Sequence, residues 1–312
     1  MVAYSTHNQH DAFQTLVESL QTEPMLVSVN PPHTGSVTQA QPPHDAHTYA
    51  MPTVTVVIPA RNEARNLPHV LPQLPPIVTE VILVDRQSED ETIQLALSLI
   101  PTIRIIHQTG RGKGDALRCG VAASTGDIIV LMDADGSNDP QEIVRFVAAL
   151  LAGADYVKGS RYLAPGGSDD ITGVRSFGNH LLTTFANLLF STHFTDFCYG
   201  YNAFWRCYAD SIPIDCVGFE VEAQLNSRAV RAGLRVTEAP SYEWPRRYGA
   251  SNLRPLRDGW RIARTILRER VWRAPVAPIR AMATGNSADN ELSVEAISTQ
   301  SNHQQVRANG LP

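Results

Sequence analysis

Residues 126–153, GDIIVLMDADGSNDPQEIVRFVAALLAG, decide how this chain folds. The apolar run through Val130 and Met132 reads as a buried strand, and Asp139-Pro140 marks the cap and first turn of a following helix. Between them stand Asp133 and Asp135, one alanine apart. Like charges this close repel and raise one another's pKa. The pair therefore calls for a cation beside the two carboxylates, or for a site wet enough to screen them.

Working outward, TVTVVIPA (53–60), VTEVILVD (78–85) and IRIIH (103–107) read as further strands, the first closed by Pro59. Helical segments separate them: SEDETIQLALSLI (88–100), with a capping-box pattern from Ser88 to Glu91, and GKGDALRCGVAAS (112–124). Strand alternating with helix predicts parallel strands joined by right-handed crossovers. The fold class is α/β, a doubly wound, mostly parallel sheet. Such sheets bind ligands beyond the carboxyl ends of their strands, where Asp85 and Asp133 both fall. Beyond residue 155 the pattern loosens. DYVKGSRY (155–162) predicts a strand, APGGSDDITG (164–173) a flexible connector, and VRSFGNHLLTTFANLLF (174–190) and GFEVEAQLNSRAVRAG (218–233) two helices.

Residues 1–50, rich in Gln, His, Thr and Pro, cannot bury enough apolar surface to offset their ordering entropy, so disorder is expected. Only DAFQTLVESL (11–20) has the makings of a transient helix, and the five scattered histidines make a weak case for metal. Residues 274–312 read as a second unstructured tail. The ordered domain is 51–273.

At 312 residues and 43% hydrophobic content the chain can bury a large α/β core. A net charge of −5 gives no global case for a nucleic-acid partner, although Arg246 to Arg273 is dense in arginine. Cys119, Cys198, Cys207 and Cys216 form no CxxC pair, so a reduced, cytoplasmic chain is expected. The first residues lack a secretory pattern, and no apolar run reaches the roughly 18–20 residues that span a bilayer. The expected location is the cytoplasm, with at most a peripheral place on the inner face of the membrane.

Three polar clusters carry the chemistry. Asp133 and Asp135 can offer oxygens to Mg²⁺ or Mn²⁺, which typically bind through one or two carboxylates plus substrate phosphates. IPARNEARNL (58–67) places Arg61, Asn62 and Glu63 at the first strand exit, and LVDRQSEDET (83–92) places Asp85 at the second. Each also reads as an ordinary βα turn. GRGKGD (110–115) lacks the G-x-x-x-x-G-K-[ST] order, which rejects a phosphate-loop NTPase.

Together these motifs resemble the family-2 inverting glycosyltransferases of GT-A fold, closest to the dolichol- and polyprenyl-phosphate mannose synthase group. VVIPARNEARNL, VILVDRQSEDET, GKGDALRCGVAASTGDIIVLMDADGSNDPQEI, DYVKGSRY, TDFCYGYNAFWR, GFEVEAQL and RRYGASNL follow in that family's order. The resemblance implies a GT-A domain with a nucleotide-sugar half (51–154) and an acceptor half (155–273). It implies nucleotide-sugar contacts at Pro59, Arg61, Glu63, Asp85 and Lys113, with Asp133 and Asp135 holding metal and diphosphate. Ser137 stands where relatives often carry Gln, and Arg86 replaces the family's second Asp.

The implied reaction moves a hexose from a GDP- or UDP-linked donor to a polyprenyl phosphate. A phosphate monoester is already anionic and needs positioning, whereas a hydroxyl acceptor needs a base. Arg161, Arg175, Arg246 and Arg247 are the candidate phosphate clamps, with solvated salt bridging as the plainer account of each. Arg161 and Arg246 join Asp133 and Asp135 in the expected catalytic set. Glu220 and Glu222 are candidate bases. Spaced by two on a helix, only one can face the site, and Glu220 completes the set. Asp196 either orients the acceptor or anchors a turn. The rival readings are a hydroxyl of a glycan or small metabolite as acceptor, and a non-catalytic nucleotide-binding protein hinted at by Arg86.

Finally, PLRDGWRIARTILRERVW (255–272) sets Leu256, Trp260, Ala263, Leu267 and Val271 on one stripe and Arg257, Arg261, Arg264 and Arg268 on another. Such a helix either lies on anionic lipid or packs its apolar stripe on its own domain. The second is expected, because most amphipathic helices cover a core.

Overall fold

The computed structural model describes residues 26–30, 51–249 and 254–275. Its centre is an eight-stranded sheet: β1 (Val27–Ser28), β2 (Val54–Ala60), β3 (Val78–Asp85), β4 (Arg104–His107), β5 (Ile128–Leu131), β6 (Tyr156–Ser160), β8 (Asn202–Trp205) and β9 (Val236–Pro240). Their spatial order is β1-β9-β6-β8-β5-β2-β3-β4. β2 pairs in parallel with β3 and β5, β3 with β4, and β6 with β9. β8 runs antiparallel between β5 and β6. The carboxyl ends of β2, β3, β5, β6 and β9 consequently share one edge, and every polar motif found above lies along it.

Strand residues alternate between two apolar layers, as period-2 geometry requires. Val57, Ile82, Val84, Ile129 and Leu131 face one layer, completed by α2 (Gly112–Ala123), α4 (Gly173–Phe190), α5 (Val221–Arg231) and α6 (Pro255–Glu269). Val56, Ile58, Val81, Leu83, Ile128 and Val130 face the other, covered by α1 (Thr92–Leu99), α3 (Ile143–Leu151) and turns at residues 67–73. Helices on both faces make the sheet doubly wound, as expected.

Several local expectations need correction. Within the N-terminal segment, Val27–Ser28 is no loose tail but an edge strand antiparallel to β9. The rest of 1–50, with its histidines and 11–20, and the chain beyond residue 275 lie outside the described residues. The connector 164–173 is stapled down: β7 (Gly167–Ser168) pairs in parallel with β10 (Tyr242–Glu243). The Ser88–Glu91 capping box does not form, because α1 begins at Thr92, whose N–H donates to Asp90 at 3.1 Å. Ser88 accepts instead from the Asn62 N–H at 3.0 Å, and Asn62 accepts from the Glu89 N–H at 2.8 Å. Thr92 accepts from the Glu63 N–H at 2.9 Å. The polar residues after β3 thus tie the first two loops of the edge into one wall.

α6 is turned around relative to its apolar stripe. Asp258, Ile262, Thr265, Ile266 and Glu269 are buried, while Leu256, Trp260, Leu267 and Val271 are exposed. The physical reason is charge pairing. Arg228 of α5 is buried and meets the Glu269 carboxylate at 2.9 Å, and Asp258 accepts from the Arg254 N–H at 2.7 Å. A buried guanidinium without its carboxylate is strongly unfavourable, so the face that goes in is the one carrying Asp258 and Glu269 together with the core residues Ile262 and Ile266. The Leu256–Trp260–Leu267 stripe comes out, and Arg257, Arg264 and Arg268 stay exposed.

Candidate active site

Beyond the strand ends opens a cavity of about 500 Å³. Its floor is Pro59 and Ala60 at the end of β2, Arg61 and Glu63 just after it, and Asp133 to Asp135 after β5. Arg111, Gly112 and Lys113 form one side, Val217 to Phe219 face them, and Arg246, Arg254, Arg257 and Arg261 close the top.

The loop carrying the two carboxylates is built largely by its own side chains. The Asp133 N–H donates to Asn138 at 2.9 Å, the Ser137 N–H to Asp135 at 3.0 Å, and Asn138 reaches Tyr199 at 2.8 Å. Gly136 takes a positive φ of 78°, which glycine adopts without strain. Ser137 therefore contributes its backbone to positioning Asp135.

The repulsion within the pair is answered by two cations. Lys113 Nζ lies 2.7 Å from Asp133, and Arg246 lies 2.6 Å from Asp135. Lys113 also reaches Glu222 at 2.9 Å. Burial works to lower the Lys113 pKa, but Asp133 and Glu222 outweigh it and hold the amine charged. Burial raises the Glu222 carboxyl, with Lys113 opposing and Asp133 adding to the rise. Burial likewise raises Glu63, against its hydrogen bond from Asn66. Arg246 spans from Asp135 towards Glu63, 3.9 Å away.

Of the two glutamates, it is Glu222 that the structure brings to the aspartates. Glu220 precedes α5 and binds Arg261 at 2.9 Å, on the rim. The reason is the helix start: Glu220 is the cap residue, so the two carboxylates leave the chain in different directions. Asp85 is buried at the end of β3, its oxygens accepting from the Ser88 N–H at 3.3 Å, while Arg86 beside it lines the cavity. The buried Arg86 Nε has no hydrogen-bond partner among the described residues.

The expected acceptor residues divide. Arg246 lines the cavity, and the stem of Arg247 lies beside Gly136. Arg175 pairs with Asp170 at 3.0 Å at the start of α4. Arg161 and Asp196 sit below the surface: Arg161 grips Asp196 at 2.7 Å and Glu243 at 3.0 Å, and both partners are buried. All three guanidinium nitrogens of Arg161 are engaged there. The cavity-lining arginines that sequence reasoning missed are Arg86, Arg111, Arg254, Arg257 and Arg261. No motif announces them; the last three reach the cavity from the first turns of α6 and its cap residue.

Gly112 makes the close approach of two walls possible. Its φ is +82°, and a Cβ there would stand 2.0 Å from the Val217 carbonyl oxygen. Gly112→Ala is expected to destabilise the fold by about 3 kcal/mol or more, from backbone strain plus displacement of residues 217–219. A melting curve checks this, and an unchanged midpoint would show that the walls yield freely.

Residues 55–211 match the profile described as Glycosyl transferase family 2, and the chain belongs to that family. It is a glycosyltransferase with a GT-A-type fold. Among its relatives is the polyprenol monophosphomannose synthase of Mycolicibacterium smegmatis, 31% identical over 216 residues, covering 64% of this chain and 80% of the relative. The undecaprenyl-phosphate mannosyltransferase of Micrococcus luteus is 29% identical over 213 residues, covering 64% and 87%. The glucosyl-3-phosphoglycerate synthase of Mycobacterium tuberculosis, solved with Mn²⁺, UDP and glucosyl-3-phosphoglycerate, superposes with a TM-score of 0.54 at 25% identity, over 70% of this chain and 78% of that one. The same enzyme, with the same figures, is solved with Mg²⁺ and UDP.

The donor set here suits such an ion. Asp133 and Asp135 offer hard carboxylate oxygens to the cavity, and no cluster of three or more metal-binding side chains occurs among the described residues. Two protein carboxylates with the remaining positions left to phosphate and water is how Mg²⁺ is commonly held.

Proposed function

We propose that this enzyme transfers a hexose from a GDP- or UDP-linked donor to a polyprenyl phosphate, with Mg²⁺ or Mn²⁺ held by Asp133 and Asp135. The observation that carries the reading is the cavity's charge. Arg61, Arg86, Arg111, Lys113, Arg246, Arg254, Arg257 and Arg261 surround a floor with the Asp133–Asp135 pair. That array fits two anionic groups at once, a diphosphate and an acceptor phosphate. The names of the polyprenyl-phosphate relatives support the same acceptor class.

In the reaction an acceptor phosphate oxygen attacks the anomeric carbon from the face opposite the leaving group. The bond from that carbon to the diphosphate breaks, and the nucleoside diphosphate departs with the electron pair. No proton need be removed from the nucleophile, which agrees with Glu222 being tied to Lys113. When bound, the ion would supply charge neutralisation for the leaving diphosphate. Lys113 and Arg246 hold the two aspartates in place, and Arg254, Arg257 and Arg261 are the groups proposed to position the acceptor. On this reading the enzyme works in the cytoplasm and meets its acceptor at the inner face of the membrane.

The test offers labelled nucleotide hexoses with Mn²⁺ to a detergent-dispersed polyprenyl phosphate and, in parallel, to 3-phosphoglycerate. Label in the lipid phase supports the reading. Label only in the soluble phosphoglycerate would replace it with a hydroxyl acceptor.

A further inference from the structure

The surface outside the cavity carries a feature that sugar transfer does not use. α4 turns Asn179, Thr183 and Ala186 inward and presents Val174, Phe177, Leu181, Phe185 and Leu188 to the outside. Phe177 is 72% exposed and Leu188 79%. α6, packed against α4, does the same with Leu256, Trp260 and Leu267, continued by Val271 just past its end, and Leu256 is 90% exposed. Scattered apolar side chains are normal on a surface, but two continuous stripes on neighbouring helices mark an interaction surface.

Charge identifies the occupant. Helix geometry sets Arg264 beside the α6 stripe with Arg257 next to it, while Arg261 pairs with Glu220 at 2.9 Å and Arg268 with Asp215 and Glu269 at 3.2 and 2.7 Å. The two acids of α6, Asp258 and Glu269, are buried, and α4 contains no Asp or Glu. A second copy apposed through α6 would bring arginine against arginine. An anionic headgroup layer would answer those charges while its acyl chains received the apolar stripes. The same helix lends Arg254, Arg257 and Arg261 to the cavity, so the stripe and the site are continuous.

We propose that the outer faces of α4 and α6 dock the enzyme on a bilayer bearing anionic headgroups, an inference that rests on the polyprenyl-phosphate reading. The full chain is sedimented with vesicles of phosphatidylcholine alone or mixed with phosphatidylglycerol, free of polyprenyl phosphate. The wild type is expected to sediment with the mixed vesicles and to remain in solution with the neutral ones. Phe177→Ser with Leu181→Ser, and Trp260→Ser with Leu267→Ser, should each weaken that binding about tenfold or more with the melting midpoint unchanged. Arg264→Glu should weaken it with the stripes intact.

The proposal is overturned if the wild type ignores mixed vesicles, or if the variants bind as the wild type does. It is also overturned if these substitutions split a dimer and leave vesicle binding alone, which would make a second copy the occupant. Transfer to a short, water-soluble isoprenyl phosphate should persist in the docking variants. Its absence from the wild type, with vesicle binding intact, would sink the acceptor reading and leave the docking face standing.

Discussion

Asp135→Asn protein is expected to transfer hexose at least about 10²–10³-fold more slowly than the wild type, the scale on which one preorganised electrostatic contact to a transition state counts. Asp135 has two links to the site. One oxygen is fixed by the Ser137 N–H and the other faces Arg246 at 2.6 Å. Neutralising it takes away half of the proposed metal-holding pair and releases Arg246 from its partner. A second readout separates chemistry from collapse: the Mn²⁺-dependent part of nucleoside diphosphate binding should vanish while the melting midpoint holds. Transfer at near wild-type rate, or binding that never depended on Mn²⁺, would show that the two aspartates serve the loop alone.

The largest effect on stability should come from Asp196→Ala. Its carboxylate is fully buried against Arg161 and within the field of Lys158, itself buried. Removing one partner of such a group leaves uncompensated charge inside the protein and costs about 3–5 kcal/mol, a fall in melting midpoint of roughly 10 °C for a domain this size. Burial alone would raise the Asp196 pKa, but Arg161 and Lys158 prevail and hold it at about 2. The folded value is thus below the unfolded one of roughly 3.9. The carboxylate's contribution is fully present above that unfolded value and is lost as pH falls through about 2. The gap between wild type and variant should therefore be constant near neutrality and close as acid is added. A raised acceptor KM with an unchanged melting midpoint would instead return Asp196 to direct contact with acceptor.

Much of this architecture can be read from the chain because its signals are local. The β-branched runs at 54–60 and 128–131 and the glycine-rich entry to α2 each announce their own conformation, and the aspartate pair follows from where a strand must end. What could not be read depends on partners far along the sequence. Nothing in the run around Arg161 says that its guanidinium will be consumed by Asp196 and Glu243, so a motif arginine looked like an exposed phosphate clamp. Glu222 was distinguishable from Glu220 only once α5 was known to begin between them. β8 enters the sheet antiparallel, and the β7–β10 staple crosses a segment whose composition promised a loose loop. α6 buries Ile262 and Ile266 rather than the longer Leu256–Trp260–Leu267 stripe, and the pairing that favours this face comes from Arg228, 41 residues away from Glu269.

The anchoring of α6 by Arg228 and Glu269 has a consequence for how such an enzyme can diversify. Three of the basic groups over the cavity come from a segment beyond the stretch that matches the family profile, clasped to the body by Ile262, Ile266 and the Arg228–Glu269 pair. On the proposed reading, exchanging one C-terminal helix for another that keeps the clasp is expected to change acceptor choice and membrane docking together, with Asp133 and Asp135 left in place.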